Sequence, residues 1–192
     1  MKNLQVNNAK DLYDLTEKFR KVGTKDYRYR CHYDLIRENM KDGYVHKELG
    51  TYYGWSAAYA ALHGATELHL VDIDFKPFNT HKKYFEEHLK TKNGNLYLYN
   101  CSSHDSKCVG PCDTMLIDSV HTWKWVKKEL EMHAHTVKDW IVFHDTAMIH
   151  GKPSPIGPGI KDWLKTNIIG SQFELVEELT EGVGAMMIKR IS

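Results

Sequence analysis

The sequence predicts a doubly wound α/β fold: a mostly parallel sheet with helices on both faces, closed by an antiparallel strand near the C-terminus. Three observations point there. Short β-type runs alternate with helix-type runs from residue 44 onward, a pattern that builds parallel strands joined by crossover helices. Two glycines, Gly50 and Gly54, bracket the turn between the first of these strands and the helix after it. The chain then finishes with two consecutive strand-type runs, Phe173 to Leu179 and Ala185 to Ile191, joined by a short turn through Gly182. So short a connection permits only antiparallel pairing.

Taken in order, Asn8 to Val22 predicts an amphipathic helix, with Leu12, Leu15, Phe19 and Val22 at steps of three and four. Thr24 to His32 is basic and tyrosine-rich. It reads as a solvated connector, as a flap over the mouth of a site, or as a nucleic-acid contact, since cations among aromatics suit base stacking. Tyr33, Ile36 and Met40 predict a second helix that stops at Gly43. Residues 1–43 therefore read as a helical segment that packs on or caps the active site, and 44–192 as the main domain. Tyr44 to Glu48 is the first strand, Trp55 to Leu62 an alanine-rich helix, and Glu67 to Val71 the second strand, followed by Asp72 and Asp74. Pro77 opens a helix to about Leu89. Leu96 to Tyr99 and Asp113 to Asp118 are strands. Thr122 caps a helix reaching Val137, with Val126, Leu130, Ala134 and Val137 on one face. Trp140 to Phe143 is a strand, Thr146 to Gly157 a loop, and Pro158 to Ile168 a helix. His81, His88, His133 and His135 are expected on helix surfaces.

The stretch from Tyr44 to Asp74 organises the rest, because it has the outline of a βαβ unit with a ligand-type loop. Gly50 lacks a Cβ, so the backbone can turn sharply there and approach a ligand. Gly54 opens a helix whose first amides are free to bind a polar group. Asp72 ends the second strand about twenty residues beyond Glu48, a placement that suits ribose hydroxyls. The loop reads E-x-G-x-x-x-G, not G-x-G-x-x-G, which favours a nucleoside without a pyrophosphate over a dinucleotide. A ligand-free strand-to-helix turn explains the same residues when the loop is taken alone.

Size and composition narrow the classes. The chain has 192 residues, 42% hydrophobic and 27% charged, within the range of one globular domain. A formal net charge of +1 provides no strong field for nucleic acid or an anionic membrane. No apolar run reaches the length of a membrane span, and MKNLQVNNAKDLYDL contains no apolar signal core. Cys31, Cys101, Cys108 and Cys112 lack zinc-site spacing and read as reduced thiols, so a cytoplasmic location is expected. Self-association into a homo-oligomer is open at this stage.

In open α/β sheets, ligands bind at the carboxyl ends of the strands. Here five consecutive strands end in polar groups: Glu48, Asp72, Ser102, Asp118 and His144-Asp145. Asp118 and Asp145 close neighbouring strands, so their carboxylates can converge on a hard cation such as Mg²⁺. His144 as a third ligand would broaden the choice toward softer divalent ions. His121 or His144 can serve as a general base on a hydroxyl. Helix or turn capping explains the two aspartates equally well, and structural hydrogen bonds explain the histidines.

With these residues in hand, the chain from Tyr44 to Ile191 resembles the class I S-adenosylmethionine-dependent methyltransferases. Glu48-Leu49-Gly50-Thr51-Tyr52-Tyr53-Gly54 resembles the family's first motif, which holds the methionine part of the cofactor. Asp72 in VDID matches its ribose-binding acid. Ser102 and Ser103 follow the third strand, where the adenine end is contacted, and Asp118 in LIDSVHTW and His144-Asp145-Thr146 in VFHDT match the fourth and fifth strand ends. The last two motifs are similar to a narrower group, the cephalosporin hydroxylase-like and sugar O-methyltransferase-like proteins. The resemblance implies a seven-stranded Rossmann-like sheet with a reversed final strand, and S-adenosylmethionine as cofactor. It further implies O-methylation of a sugar, glycan or other small hydroxylated acceptor. It places the cofactor on Glu48, Gly50, Thr51, Tyr52, Gly54, Asp72, Ser102, Ser103 and Asp118, with Asp118, His121 and His144 in catalytic roles. A divalent ion would sit on Asp118, His144 and Asp145, although the family's metal enzymes more often carry an acid where this chain has His144. A cofactor-binding module without turnover and a nucleic-acid methyltransferase are the competing readings. The second is weakened by the lack of an Asn/Asp-Pro-Pro-aromatic motif.

Overall fold

The computed structural model describes residues 9–22 and 31–191. The basic Tyr27–Arg30 segment lies outside the described residues. One seven-stranded sheet carries the fold. It comprises β1 (Val45–Leu49), β2 (Glu67–Asp72), β3 (Asn95–Asn100), β4 (Cys112–Ile117), β5 (Val137–His144), β8 (Phe173–Leu179) and β9 (Ala185–Arg190). The spatial order is β3-β2-β1-β4-β5-β9-β8. Strands β1 to β5 pair in parallel, while β9 runs antiparallel to both β5 and β8. The expected fold class is the observed one. The order reverses beside β1, so the connections leaving β1 and β4 run to opposite faces of the sheet and leave a crevice at its carboxyl edge.

The alternation of side chains along each strand divides the core in two. Leu68, Leu70, Leu116, Trp140 and Val142 face one layer, which holds α1 (Leu12–Val22), α2 (Cys31–Asn39), α3 (Trp55–Leu62) and α5 (Lys82–Thr91). Met115, Ile117, Ile141 and Phe143 face the other, which holds α6 (Trp123–His133) and α7 (Ile156–Thr166). Helix α3 presents Ala57, Ala58, Ala60 and Ala61, all fully buried. Small side chains at four positions let this helix sit close against the sheet, which keeps the loop before it tight.

Several boundaries differ from those read in the sequence. The helix expected from Thr122 to Val137 ends at His133, turns through Ala134–Thr136, and hands Val137 to β5. The apolar periodicity ran on because Val137 is buried in both descriptions. The expected loop from Thr146 to Gly157 contains a small hairpin, β6 (Met148–Ile149) and β7 (Lys152–Pro153), and α7 starts at Ile156. The helix opened by Pro77 is broken into α4 (Lys76–Asn79) and α5. Two histidines expected on helix surfaces are interior: His81 is buried, and His133 is fully buried with Nε2 2.7 Å from the Ser103 carbonyl. His32, the last residue of the stretch read as a connector, flap or nucleic-acid contact, lies in the first turn of α2 in the interior, its ring 4.3 Å from that of His144.

Candidate active site

The turn after β1 is built from positive-φ backbone at Gly50 (+91°), Tyr52 (+50°) and Gly54 (+80°). Glycine is required at Gly50 for a second reason, since a Cβ there would meet the backbone of Asp118 and Ser119. Asp72 holds this turn in place. Its Oδ2 accepts from the amides of Thr51 (2.9 Å) and Tyr52 (2.8 Å), and its Oδ1 accepts from the Asp74 amide at 3.0 Å. The residue read as a ribose ligand is therefore also the organiser of the glycine loop. Glu48 lies behind the loop, fully buried, with Oε1 bonded to Ser56 Oγ and Oε2 without a hydrogen-bond partner among the described residues. Burial pushes its carboxyl well above the usual range, and the nearby Asp118 and Asp72 push the same way.

A cavity of about 570 Å³ opens at the carboxyl ends of β1 to β4. Gly50, Tyr52, Asp72, Ser102, Ser103 and Asp118, all read as cofactor contacts, line it. Glu48, Thr51 and Gly54 do not, and they support the loop from behind. Ser103 is mostly occupied with structure, because its Oγ accepts from Trp125 Nε1 at 3.1 Å and its carbonyl takes His133. Val71, Ile73, Cys101, Val120 and Trp125 supply apolar wall that the sequence reading did not assign. Trp125 stacks on His104 at 3.9 Å between ring centroids. The available signal was its position in the first turn of the helix after β4, the end that faces the strand termini.

Behind that wall stands Glu129, which sequence reasoning also missed. It is fully buried on α6 and makes a short hydrogen bond with Ser119, which lines the cavity. Burial pushes its carboxyl up to about 7, while donors on Ser103, Ser119 and Trp125 pull the other way.

The ends of β4 and β5 bring Asp118, His121, His144 and Asp145 together as two imidazole–carboxylate pairs. His144 Nδ1 lies 3.0 Å from Asp118 Oδ1 and 3.5 Å from Asp145 Oδ1. His121 Nδ1 meets Asp145 Oδ2 at short range. That contact raises the His121 pKa above the ordinary imidazole value, against the opposing effect of burial. The metal set read from the sequence was Asp118, His144 and Asp145. Among the described residues, the group whose donor atoms all fall within 4.8 Å of one another is Asp118, His121 and Asp145. His121 enters this group because the loop after β4 brings it to Asp145, a step that strand order alone does not specify.

A second cavity, of about 460 Å³, lies beyond these pairs. It is bounded by the β6–β7 hairpin (Met148 to Gly151), by Gly182 and Val183 before β9, and by Asp145. His121 and His144 line both cavities. Two chambers thus share one polar wall. No helix among the described residues is long and apolar enough to cross a membrane.

No protein-family model matches the sequence, and no curated protein matches it. Solved structures do match by fold. An rRNA methylase from Streptococcus thermophilus aligns at TM-score 0.60 and 9% identity, over 84% of this chain and 95% of its own. A ribosomal protein L11 methylase from Lactobacillus delbrueckii subsp. bulgaricus aligns at 0.62 and 16%, over 88% and 81%. Magnesium protoporphyrin IX methyltransferase from Synechocystis PCC 6803, solved with bound S-adenosylhomocysteine, aligns at 0.62 and 14%, over 94% and 100%. The chain therefore shares its fold with these methyltransferases.

Proposed function

We propose that the protein transfers a methyl group from S-adenosylmethionine to a hydroxyl oxygen of a small acceptor. The observation that carries this reading is the pair of cavities meeting at His121 and His144. The residues of the first cavity fit the cofactor: a glycine turn with positive φ, the Asp72 and Asp118 carboxylates, and an apolar end at Ile73, Val120 and Trp125 for a base. S-adenosylmethionine supplies a methyl made electrophilic by its sulfonium. The chain's own task is to align donor and acceptor and to take the hydroxyl proton. Asp145 fixes His121 through Nδ1, which leaves Nε2 as the accepting atom for that proton. Asp118 orients His144 in the same manner. A divalent ion, where present, would be held by Asp118, His121 and Asp145 and would act as a Lewis acid on the hydroxyl.

Thermal unfolding with S-adenosylmethionine and S-adenosylhomocysteine tests the reading. A ligand at about a hundred times its dissociation constant adds roughly 2.7 kcal/mol, a rise of about 5 °C or more for a domain of this size. A flat response to both compounds up to millimolar concentration would overturn it. A second reading, methylation of RNA, draws on the rRNA methylase among the fold neighbours and on the basic Tyr27–Arg30 segment. It expects RNA binding that weakens steeply with salt.

A further inference from the structure

We propose that the acceptor is a small phenol, a flat aromatic body seated on Met148, Ile149 and Val183 with its hydroxyl directed at His121. This rests on the methyl-transfer reading above and narrows it.

The second cavity has one polar end and one apolar end. The apolar end is built, not a loose loop. The Ala147 and Met148 amides both donate to the Val183 carbonyl, at 2.8 and 3.1 Å, and the Ser154 amide donates to the Ala147 carbonyl at 2.9 Å. These bonds tie the β6–β7 hairpin to the turn before β9. They also engage main-chain groups that a polar acceptor would otherwise use. The apolar residues that line this wall are Met148, Ile149 and Val183. Polar side chains are confined to His121, His144 and Asp145 at one end and to the exposed His150 at the hairpin tip.

Three acceptor chemistries can be compared against that wall. A phosphorylated or carboxylated acceptor needs a fixed cation, and among the described residues no lysine or arginine lines the cavity. A sugar carries a hydroxyl on almost every carbon. Each one desolvated against Met148, Ile149 or Val183 without a partner costs about 1–3 kcal/mol. A phenol has one polar group to satisfy, and it lies where the imidazoles are. Its ring contributes apolar area to the wall, with favourable sulfur contact from Met148. A volume of about 460 Å³ falls in the range of small-molecule sites.

The test uses the full chain with S-adenosylmethionine and four probes: p-cresol, 2-naphthol, cyclohexanol and methyl glucoside. S-adenosylhomocysteine release and the mass of the methylated product are measured, and S-adenosylhomocysteine binding is measured separately by calorimetry. The phenols are expected to exceed cyclohexanol and methyl glucoside by at least a hundredfold in kcat/KM. Met148→Lys and Val183→Asp should raise KM for 2-naphthol about tenfold or more without moving S-adenosylhomocysteine affinity, since neither residue lines the first cavity. Cofactor binding with methyl glucoside preferred, with an RNA oligonucleotide methylated instead, or with no phenol turned over would overturn the phenol assignment alone. Absence of S-adenosylhomocysteine binding would remove the methyl-transfer reading beneath it.

Discussion

Gly50 lies so close to the carbonyl of Asp118 that a Cβ built at residue 50 would stand 2.2 Å from that oxygen. The glycine turn and the end of β4 are therefore one structural unit. The Gly50 amide donates to Val71 and the Asp118 amide to Leu49, each at 2.9 Å, which locks three strand ends together. Gly50→Ala must open this contact and also adopt φ +91°. The variant is expected to lose cofactor affinity by more than tenfold and to unfold at least several degrees earlier, as read by calorimetry and thermal melts. A variant with unchanged affinity would separate the glycine turn from cofactor binding.

Asp72 serves the loop amides through Oδ2, so its substitution has a structural component. Asp72→Asn keeps a carbonyl oxygen able to accept from Thr51 and Tyr52, whereas Asp72→Ala leaves the amides of Thr51, Tyr52 and Asp74 without their acceptor. The loss of each such bond is worth about 1 kcal/mol. Melting temperature should fall in Asp72→Ala more than in Asp72→Asn. Cofactor affinity should fall in both, because the negative charge is lost in both. Equal melting temperatures would show that the loop does not depend on this carboxylate.

His121 acts as a base only when neutral, and Asp145 holds its pKa above the ordinary value. kcat/KM should therefore rise with pH through an apparent pKa above about 6.5 and level off. Asp145→Asn withdraws the charge that favours imidazolium, so the inflection should move to lower pH as the plateau drops. His121→Ala should lower turnover about a hundredfold with S-adenosylhomocysteine affinity intact. Exhaustive chelation should leave wild-type turnover within about twofold. Loss on chelation that Mg²⁺ or Mn²⁺ restores would reassign Asp118, His121 and Asp145 as metal ligands.

Glu129 offers a stability measurement independent of activity. Burial pushes its carboxyl up to about 7 from an ordinary value of 4.5. The folded state therefore holds a proton that the unfolded state releases between these two values. Stability is thus lost as pH rises from the lower value to the higher one, and the loss is complete above about 7. The shift corresponds to about 3 kcal/mol as an upper bound. Glu129→Gln, which is neutral at every pH, should gain stability over the wild type at pH 8 and show little difference at pH 4. Denaturant melts at both values measure this, and a gain of equal size at both would refute the assignment of the titrating group.

How far the sequence reaches can be seen element by element. The alternation of strands and helices, the antiparallel ending and the cavity-lining Gly50, Asp72, Ser102 and Asp118 were legible from periodicity, from glycine and from the rule that strand ends point at one edge, while Tyr52 and Ser103 came from the resemblance to the family's motifs. Trp125, Ile73 and Glu129 were not, since a residue in a helix or turn does not announce which neighbour covers it. His133 looked like a surface residue for the same reason: helix periodicity leaves open which loop packs on a given face, and here the loop carrying Ser103 does.

The sequence by itself determined the sheet, its carboxyl edge, and the set of polar groups gathered there. Only the tertiary structure decided how those groups pair. His121 reaches Asp145 across the gap between β4 and β5, while His144 turns to Asp118, and that exchange creates one wall common to two cavities. The physical reason is range. Periodicity and turn chemistry act over a few residues, whereas this pairing depends on how a loop after one strand folds over the end of the next.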